Sequence, residues 1–305
     1  MSSLTDTPLD ALPVVALTVG DMAGVGPELV LRVAPTVVPL ARVLVVASAP
    51  WLEAARTDLI RRGVLPASAP ALHTVRTPSE IAPATADGKL AVLCVHERAA
   101  RIAALGVPAA GDAYPWGQAV AGFGAVQHEA LVAACALANA GEVQAIVTAP
   151  WHKKRLADDG LAATGHTEVL AREAGAVDVS MVLAGGPLRV ALVTTHLPLA
   201  QVPAALTAEA IRGTVQRLAV ALRTQWGIDA PRIAVCGLNP HAGEEGVLGR
   251  EEIEVIEPTL AAFRQEGLDV TGPWPADTIF PRVHGGVERA DGIVAMYHDQ
   301  GGWAR

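Results

Sequence analysis

Short runs of apolar and β-branched residues alternate with longer helical segments along most of this chain, and no other feature constrains the fold as strongly. The apolar runs occupy 14–19, 43–46, 90–95, 145–148, 190–194, 232–235 and 292–296. Segments with helical periodicity lie between them, at 28–37, 129–140, 208–224 and 251–266. Continuous apolar strands separated by helices are typical of a parallel sheet covered on both faces. We therefore predict an α/β fold.

Charge and hydropathy exclude several classes of function. The 305 residues carry a formal net charge of −8 and are 51% hydrophobic. Because no global positive field is present, neither nucleic acid nor an anionic membrane is predicted as a partner. The N-terminus lacks the basic region of a secretory signal, and no apolar stretch reaches the roughly 20 residues of a membrane-spanning helix. We expect a soluble, cytoplasmic protein with three reduced cysteines, Cys94, Cys135 and Cys236.

Histidines follow three of the apolar runs, at His196, His241 and His298, and a fourth, His166, stands in the polar loop ATGHTE. In open α/β sheets, ligands bind beyond the carboxyl ends of the strands, where distant residues can converge. Three imidazoles with one open position are typical of a catalytic divalent-metal site. Spacing alone does not establish a metal, however, and a single histidine after a strand is usually a surface loop residue.

The segment GDMAGVGPE follows the first apolar run and resembles a dinucleotide-binding turn, but its spacing does not fit. Gly24 and Gly26 provide the first two glycines of the pattern, whereas the third would fall on Leu29. A tight strand-to-helix turn is the simpler interpretation, and a contact of Asp21 and Glu28 with a substrate is another. No cofactor-binding residues are assigned.

Several charged residues stand in turn-rich segments. Asp277 lies in a proline-bounded loop and Asp299 follows His298 directly, so either carboxylate could act as a base, orient a metal ligand or bind the ion. Asp299 could equally cap a helix. The basic run HKKR at 152–155 is either a solvated helix start or a phosphate contact. The pair Glu251–Glu252 is interpreted as two first-turn acids favoured by the helix dipole.

Eight ordered motifs resemble the 4-hydroxythreonine-4-phosphate dehydrogenase family. They are GDMAGVGPE (20–28), TAPWHKKRL (148–156), TGHTE (164–168), TTHLPL (194–199), GLNPHAGE (237–244), GREE (249–252), PADT (275–278) and YHDQG (297–301). The resemblance implies a two-lobed α/β/α fold similar to that of isocitrate and isopropylmalate dehydrogenases. Residues 1–125 with 270–305 are expected to form the first lobe and 126–269 the second, with the active-site cleft between them at a homodimer interface.

The resemblance also implies the roles of individual residues. His196, His241 and His298 are expected to hold a divalent metal, zinc, magnesium or cobalt, with ligands shared between subunits. His166 and Thr167 are expected to bind the substrate, and Lys153 is added to them as a phosphate contact. Asp277 and Asp299 are the candidate catalytic carboxylates.

The activity that follows from the resemblance is a two-step reaction with NAD. The 3-hydroxyl of 4-phosphooxy-L-threonine is oxidised, and the product decarboxylates to 3-amino-2-oxopropyl phosphate in pyridoxal 5'-phosphate biosynthesis. A metal can lower the pKa of the hydroxyl and stabilise the enolate that decarboxylation forms.

The chain departs from the family pattern at two places, and three alternatives stay open. Met22 replaces a common proline, and after YHDQG the chain reads GGWAR where the family continues for several dozen residues with further substrate contacts. The first lobe is therefore expected to be incomplete, and an inactive truncated remnant is one alternative. A paralogue that oxidises threonate or erythronate 4-phosphate is another. A metal hydrolase that uses the same histidines is a third, and it predicts a reaction independent of nucleotide.

Overall fold

A computed structural model describes residues 11–37, 40–96, 102, 104, 106–109 and 111–304 of the chain. It divides into two compact units, Met1–Val177 and Asp178–Arg305, and each unit contains one five-stranded sheet. Both sheets combine with helices, so the predicted α/β class is confirmed.

The sheet of the first unit is entirely parallel and has the order β3-β4-β2-β1-β5. Its strands are β1 (Val14–Thr18), β2 (Arg42–Ala47), β3 (Leu72–Val75), β4 (Leu90–Cys94) and β5 (Ala145–Thr148). All but one of the residues of β2 are buried, as expected for a central strand with helices on both faces. The helices are α1 (Gly26–Val37), α2 (Ala49–Arg61), α3 (Ile81–Ala86), α4 (Phe123–Asn139), α5 (Lys153–Asp158) and α6 (His166–Glu173).

The sheet of the second unit has the order β6-β7-β10-β8-β9. Its strands are β6 (Val182–Gly185), β7 (Leu188–Leu192), β8 (Ile233–Cys236), β9 (Val270–Trp274) and β10 (Gly292–Ala295). The last four strands in the sheet order are mutually parallel, whereas β6 forms an antiparallel hairpin with β7. The helices are α7 (Val202–Ala205), α8 (Ala208–Trp226), α9 (Glu257–Gln265) and α10 (Ala276–His284).

Both faces of the second sheet are covered, and β10 shows this residue by residue. Ile293 and Ala295 pack into the core that includes α10, while Val294 and Met296 pack into the core that includes α8 and α9. Successive side chains of a strand point to opposite faces, so a strand buried on both faces must be apolar throughout. This is why its sequence is a continuous apolar run.

All seven predicted strands and the four predicted helical segments are present, but β3, β6 and β9 were not predicted. β9 contains Gly272 and Pro273, which a sequence reading takes as turn residues. β3 and β6 are only four residues long and incompletely buried. β3 (LHTV) contains two polar residues, and β6 (VLAG) is a short run that ends in glycine.

The lobe boundaries differ from those predicted. Residues 270–305 were expected in the first lobe, but β10 pairs with β7 and β8 and so lies inside the sheet of the second unit. Residues 126–177 were expected in the second lobe, but β5 pairs with β1 and α4 packs against the first sheet. Strand pairing between residues far apart in sequence leaves no local signal, and the prediction could not detect it.

No helix in the described part of the chain is both long and apolar enough to cross a membrane. Cys94, Cys135 and Cys236 are free thiols, as predicted, and the last two are buried. Burial raises the pKa of the Cys236 thiol to about 12, so this thiol is protonated and unreactive at neutral pH.

Candidate functional site

Four of the predicted site residues follow four neighbouring parallel strands of the second sheet. β7 ends at Leu192 before His196, β10 at Ala295 before His298, β8 at Cys236 before His241, and β9 at Trp274 before Asp277. Since these strands are adjacent in the order β7-β10-β8-β9, their carboxyl ends lie along one edge of the sheet. This is the edge at which ligands bind in open α/β folds.

His196 and His298 lie side by side at this edge. Their ring centroids are 5.7 Å apart and the ring planes are inclined at 36°. His298 is partly buried, and its Nδ1 lies 2.9 Å from Oδ1 of Asp299, whose side chain is 92% exposed. The Asp299 carboxylate is therefore placed to orient the His298 ring.

His241 projects from a loop with an unusual backbone. His241, Ala242, Glu244 and Glu245 all have positive φ, between 43° and 55°, and Gly243 between them has φ 82°. Residues other than glycine pay about 1–2 kcal/mol each for this left-handed conformation. Strain of this kind persists only where surrounding contacts impose it, and it is concentrated at functional sites.

A cavity of about 320 Å³ opens beside this loop. Its lining includes His241, Asp277, Tyr297 and Gln300. Gln300 is buried and connects two strand ends, because its Oε1 accepts the N–H of Met296 at 2.6 Å and its Nε2 donates to the carbonyl of Gly237 at 2.7 Å. The cavity thus combines an imidazole and a carboxylate beside two strand ends that the Gln300 side chain holds together.

The residues expected to bind a metal are only partly brought together. Within the described residues, no three His, Cys, Asp or Glu side chains are close enough to one another to hold a metal ion. His196 and His298 form a pair, and His241 belongs to the neighbouring cavity. The donor chemistry fits a borderline divalent ion, since imidazole nitrogens and carboxylate oxygens are the usual ligands of zinc. The described residues of one chain therefore provide suitable donors without a complete ligand set.

The predicted substrate-binding residues lie in the first unit, at the beginnings of two short helices. His166 and Thr167 begin α6, and Lys153 begins α5 with its side chain exposed. The His166 ring stacks on the indole of Trp151, with ring centroids 4.2 Å apart and planes 18° from parallel. Burial lowers the pKa of His166 below its ordinary value, so the ring is neutral at neutral pH.

The basic residues next to Lys153 differ in burial and in their partners. Arg155 is buried and its Nε lies 2.9 Å from Oδ2 of Asp21, with both side chains 8% exposed. Lys154 is 74% exposed and pairs with Asp158. A substrate contact of Asp21 was one of the sequence interpretations, but its carboxylate is engaged by Arg155 and by the N–H of Ala23.

Sequence reasoning missed four residues that shape these sites: Trp151, Arg155, Glu252 and Gln300. All four belong to motifs that had been recognised, but nothing in their spacing indicates burial. Glu252 does stand in the first turn of a short helix, as interpreted, but it is only 4% exposed, and this burial was not predicted. Its carboxylate accepts hydrogen bonds from the loop that carries His241.

Comparison with known proteins identifies the family of this chain. The family model described as "Pyridoxal phosphate biosynthetic protein PdxA" matches residues 40–304. The chain belongs to this family. The resemblance identified from the motifs is therefore confirmed. Membership of this family indicates an oxidoreductase of pyridoxal phosphate biosynthesis that acts on a small phosphorylated substrate.

The curated PdxA relatives and solved structures cover almost the whole chain. A protein of Acidithiobacillus ferrooxidans and one of Chromobacterium violaceum, both named 4-hydroxythreonine-4-phosphate dehydrogenase, are 44% and 43% identical to it, over 95% of this chain and 80% of each relative. A solved dehydrogenase of that name from Klebsiella pneumoniae has a TM-score of 0.79 at 35% identity, over 95% of this chain and 83% of the solved one. One from Burkholderia phymatum has a TM-score of 0.76 at 36% identity, over 95% and 82%.

Replacing Trp151 by leucine is expected to raise the pKa of His166 toward its ordinary value. The indole covers one face of the imidazole, and its removal exposes the ring to water, which favours the protonated form. The shift can be measured by NMR titration of the histidine ring protons, with the His166 signal assigned from a His166→Asn variant. Trp226→Leu is the control, because Trp226 lies in the second unit.

The sign of the accompanying stability change follows from linkage. Because the folded-state pKa of His166 lies below its unfolded value, the unfolded chain binds more protons between those two values. Folding stability is therefore lost as the pH falls through that window, and Trp151→Leu should reduce this loss. An unchanged His166 titration in the variant would contradict the role of the stacking contact.

Proposed function

We propose that this protein catalyses the NAD-dependent and divalent-metal-dependent oxidation of 4-phosphooxy-L-threonine at its 3-hydroxyl. Decarboxylation to 3-amino-2-oxopropyl phosphate follows, as a step of pyridoxal 5'-phosphate biosynthesis. The observation that carries the proposal is the row of His196, His298, His241 and Asp277 at four adjacent strand ends. The names of the relatives support the substrate and the reaction type.

The three histidines would hold the metal, with zinc, magnesium and cobalt as the candidates. When bound, such an ion lowers the pKa of a coordinated hydroxyl and stabilises the negative charge that develops on decarboxylation. No group of three donors occurs among the described residues of one chain, so we further propose that a homodimer shares the ligands between its subunits. The oligomeric state can be measured by light scattering on the purified protein.

The roles of the protein's other residues follow from their surroundings. Asp277 is exposed at the first turn of α10 and lines the cavity beside His241, so it is the proposed acceptor of the hydroxyl proton. Asp299 holds the ring of His298 through its Nδ1. In the first unit, the exposed ammonium of Lys153 is proposed to attract the substrate phosphate, and His166 and Thr167 to donate hydrogen bonds to the substrate.

The proposal is tested by incubating the purified chain with NAD, 4-phosphooxy-L-threonine and each metal in turn. The expected result is metal-dependent formation of NADH, with 3-amino-2-oxopropyl phosphate among the products. Threonate and erythronate 4-phosphates are assayed in parallel, and a higher kcat/KM with either of them would replace the proposed substrate. NADH formation with none of the three substrates would favour an inactive protein, and turnover without nucleotide would favour a hydrolase.

A further inference from the structure

Glu252 is a buried carboxylate that binds the loop carrying His241. It is 4% exposed and lies at the start of a single wide helical turn, Glu252–Ile256, before α9. Its Oε1 accepts the backbone N–H groups of Leu238 at 2.7 Å and Asn239 at 2.8 Å. Its Oε2 accepts Nδ2 of Asn239 at 2.9 Å. A carboxylate is removed from water only where such hydrogen bonds replace its hydration.

The loop is shaped around this carboxylate. A Cβ atom added at Gly237 would come within 2.9 Å of Oε1 of Glu252, and one added at Gly243 would come within 2.7 Å of Oε2. These glycines stand on either side of His241, so the backbone approaches the carboxylate before and after the histidine. Asn239 is held a second time, because its Nδ2 also donates to Glu251 at 2.7 Å.

The backbone between these contacts is in a conformation that it would not adopt alone. His241, Ala242, Glu244 and Glu245 all have positive φ, and none of them is an asparagine or aspartate, whose short polar side chains make a left-handed backbone less costly. Such a run of residues needs an external constraint to persist. The hydrogen bonds of Glu252 to residues 238 and 239 constrain the loop where it leaves β8.

We propose that Glu252 is a positioning residue, which holds the 238–245 loop in its left-handed form and thereby directs His241 into the cavity beside Asp277. The effect of Glu252 on metal affinity rests on the proposed function, in which His241 is a metal ligand, whereas its effect on the loop does not. If Glu252 served stability alone, its loss would lower the melting temperature and leave the ring environment and metal affinity of His241 in the folded protein unchanged.

The test compares Glu252→Ala and Glu252→Gln with the wild-type chain. Glutamine keeps an oxygen for the two backbone amides but turns an NH2 group toward Nδ2 of Asn239, so it should disturb the loop less than alanine. Glu254→Gln is the matched control: it makes the same charge change in the same turn, and Glu254 is 57% exposed and pairs with Arg250. Zn²⁺ alone is the probe, titrated by calorimetry, with amide hydrogen exchange and the His241 ring signals measured by NMR.

In Glu252→Ala we expect the amides of Leu238 and Asn239 to exchange at least about 10-fold faster, because they lose their acceptor. Zinc affinity should fall about 10–100-fold, the range typical of losing a group that orients a metal ligand. Glu252→Gln should lie between Glu252→Ala and wild type, and Glu254→Gln should match wild type. Amide protection, ring signals and zinc affinity that all stay at wild-type values would overturn the proposal.

Two further outcomes are distinguishable. If Glu252→Ala does not fold, the test of the positioning role is made with Glu252→Gln alone. Wild-type amide protection and ring signals in Glu252→Gln would then overturn the positioning role. If wild-type protein binds no zinc or forms no NADH, the proposed function fails, whereas the exchange rates and ring signals still decide whether Glu252 holds the loop.

Discussion

His241→Ala is expected to abolish zinc binding and to lower kcat/KM for 4-phosphooxy-L-threonine by at least about 100-fold, while the fold remains intact. A metal contributes several kcal/mol to stabilising charge in a transition state, and about 1.4 kcal/mol corresponds to a factor of ten. His241 is exposed, so its replacement leaves no buried cavity and no unpaired buried group. The measurements are metal content of the purified variant, its activity and its circular dichroism spectrum.

A second substitution, His241→Asn, takes account of the left-handed backbone at this residue. His241 has φ 53°, a conformation that asparagine tolerates better than alanine. His241→Asn therefore removes the imidazole with less disturbance of the loop and should lose metal to the same extent. His284→Asn is the matched control, since His284 is exposed at the end of α10 and has no predicted role. Full metal occupancy in the His241 variants would remove His241 from the ligand set.

Arg155→Leu is expected to lower the free energy of unfolding by about 3–5 kcal/mol, the usual cost of removing one partner of a buried ion pair. Arg155 and Asp21 are each 8% exposed, so the variant leaves the Asp21 carboxylate buried without its cation. Arg155 also donates to the backbone carbonyl of Gln118, and this acceptor loses its partner as well. Asp21 follows β1 and Arg155 follows β5, so the pair joins the ends of two adjacent strands.

Lys154→Leu provides the comparison for this stability prediction. Lys154 is the next residue along the chain, and it forms an exposed ion pair with Asp158. Exposed pairs of this spacing contribute less than about 0.5 kcal/mol, so urea unfolding of this variant should be close to wild type. Adding Asp21→Asn to Arg155→Leu should restore part of the lost stability, because the uncompensated charge is removed. Equal unfolding midpoints for the two single variants would contradict the structural role of Arg155.

Much of the fold could be read from short stretches of residues. β10 was recognisable from a run of five apolar residues, and α8 from its helical periodicity. These signals are local, because a strand buried on both faces must be apolar at every position and a helix must present one apolar side. The histidines after β7, β8 and β10 could likewise be proposed as site residues from a local signal, since a polar side chain soon after a buried strand stands at the ligand-binding edge.

Such local patterns could not predict which strands pair with one another in a sheet. β10 is the last strand of the described chain but lies between β7 and β8 in the sheet. Because of this pairing, 270–305 belongs to the second unit and not to the first, as had been predicted. The burial of Arg155 and Glu252 was equally hidden, because their nearest charges and amides come from residues that are distant in sequence or on another turn. Long-range pairing and desolvation depend on which surfaces meet in three dimensions, and a one-dimensional pattern of residue types carries no record of that.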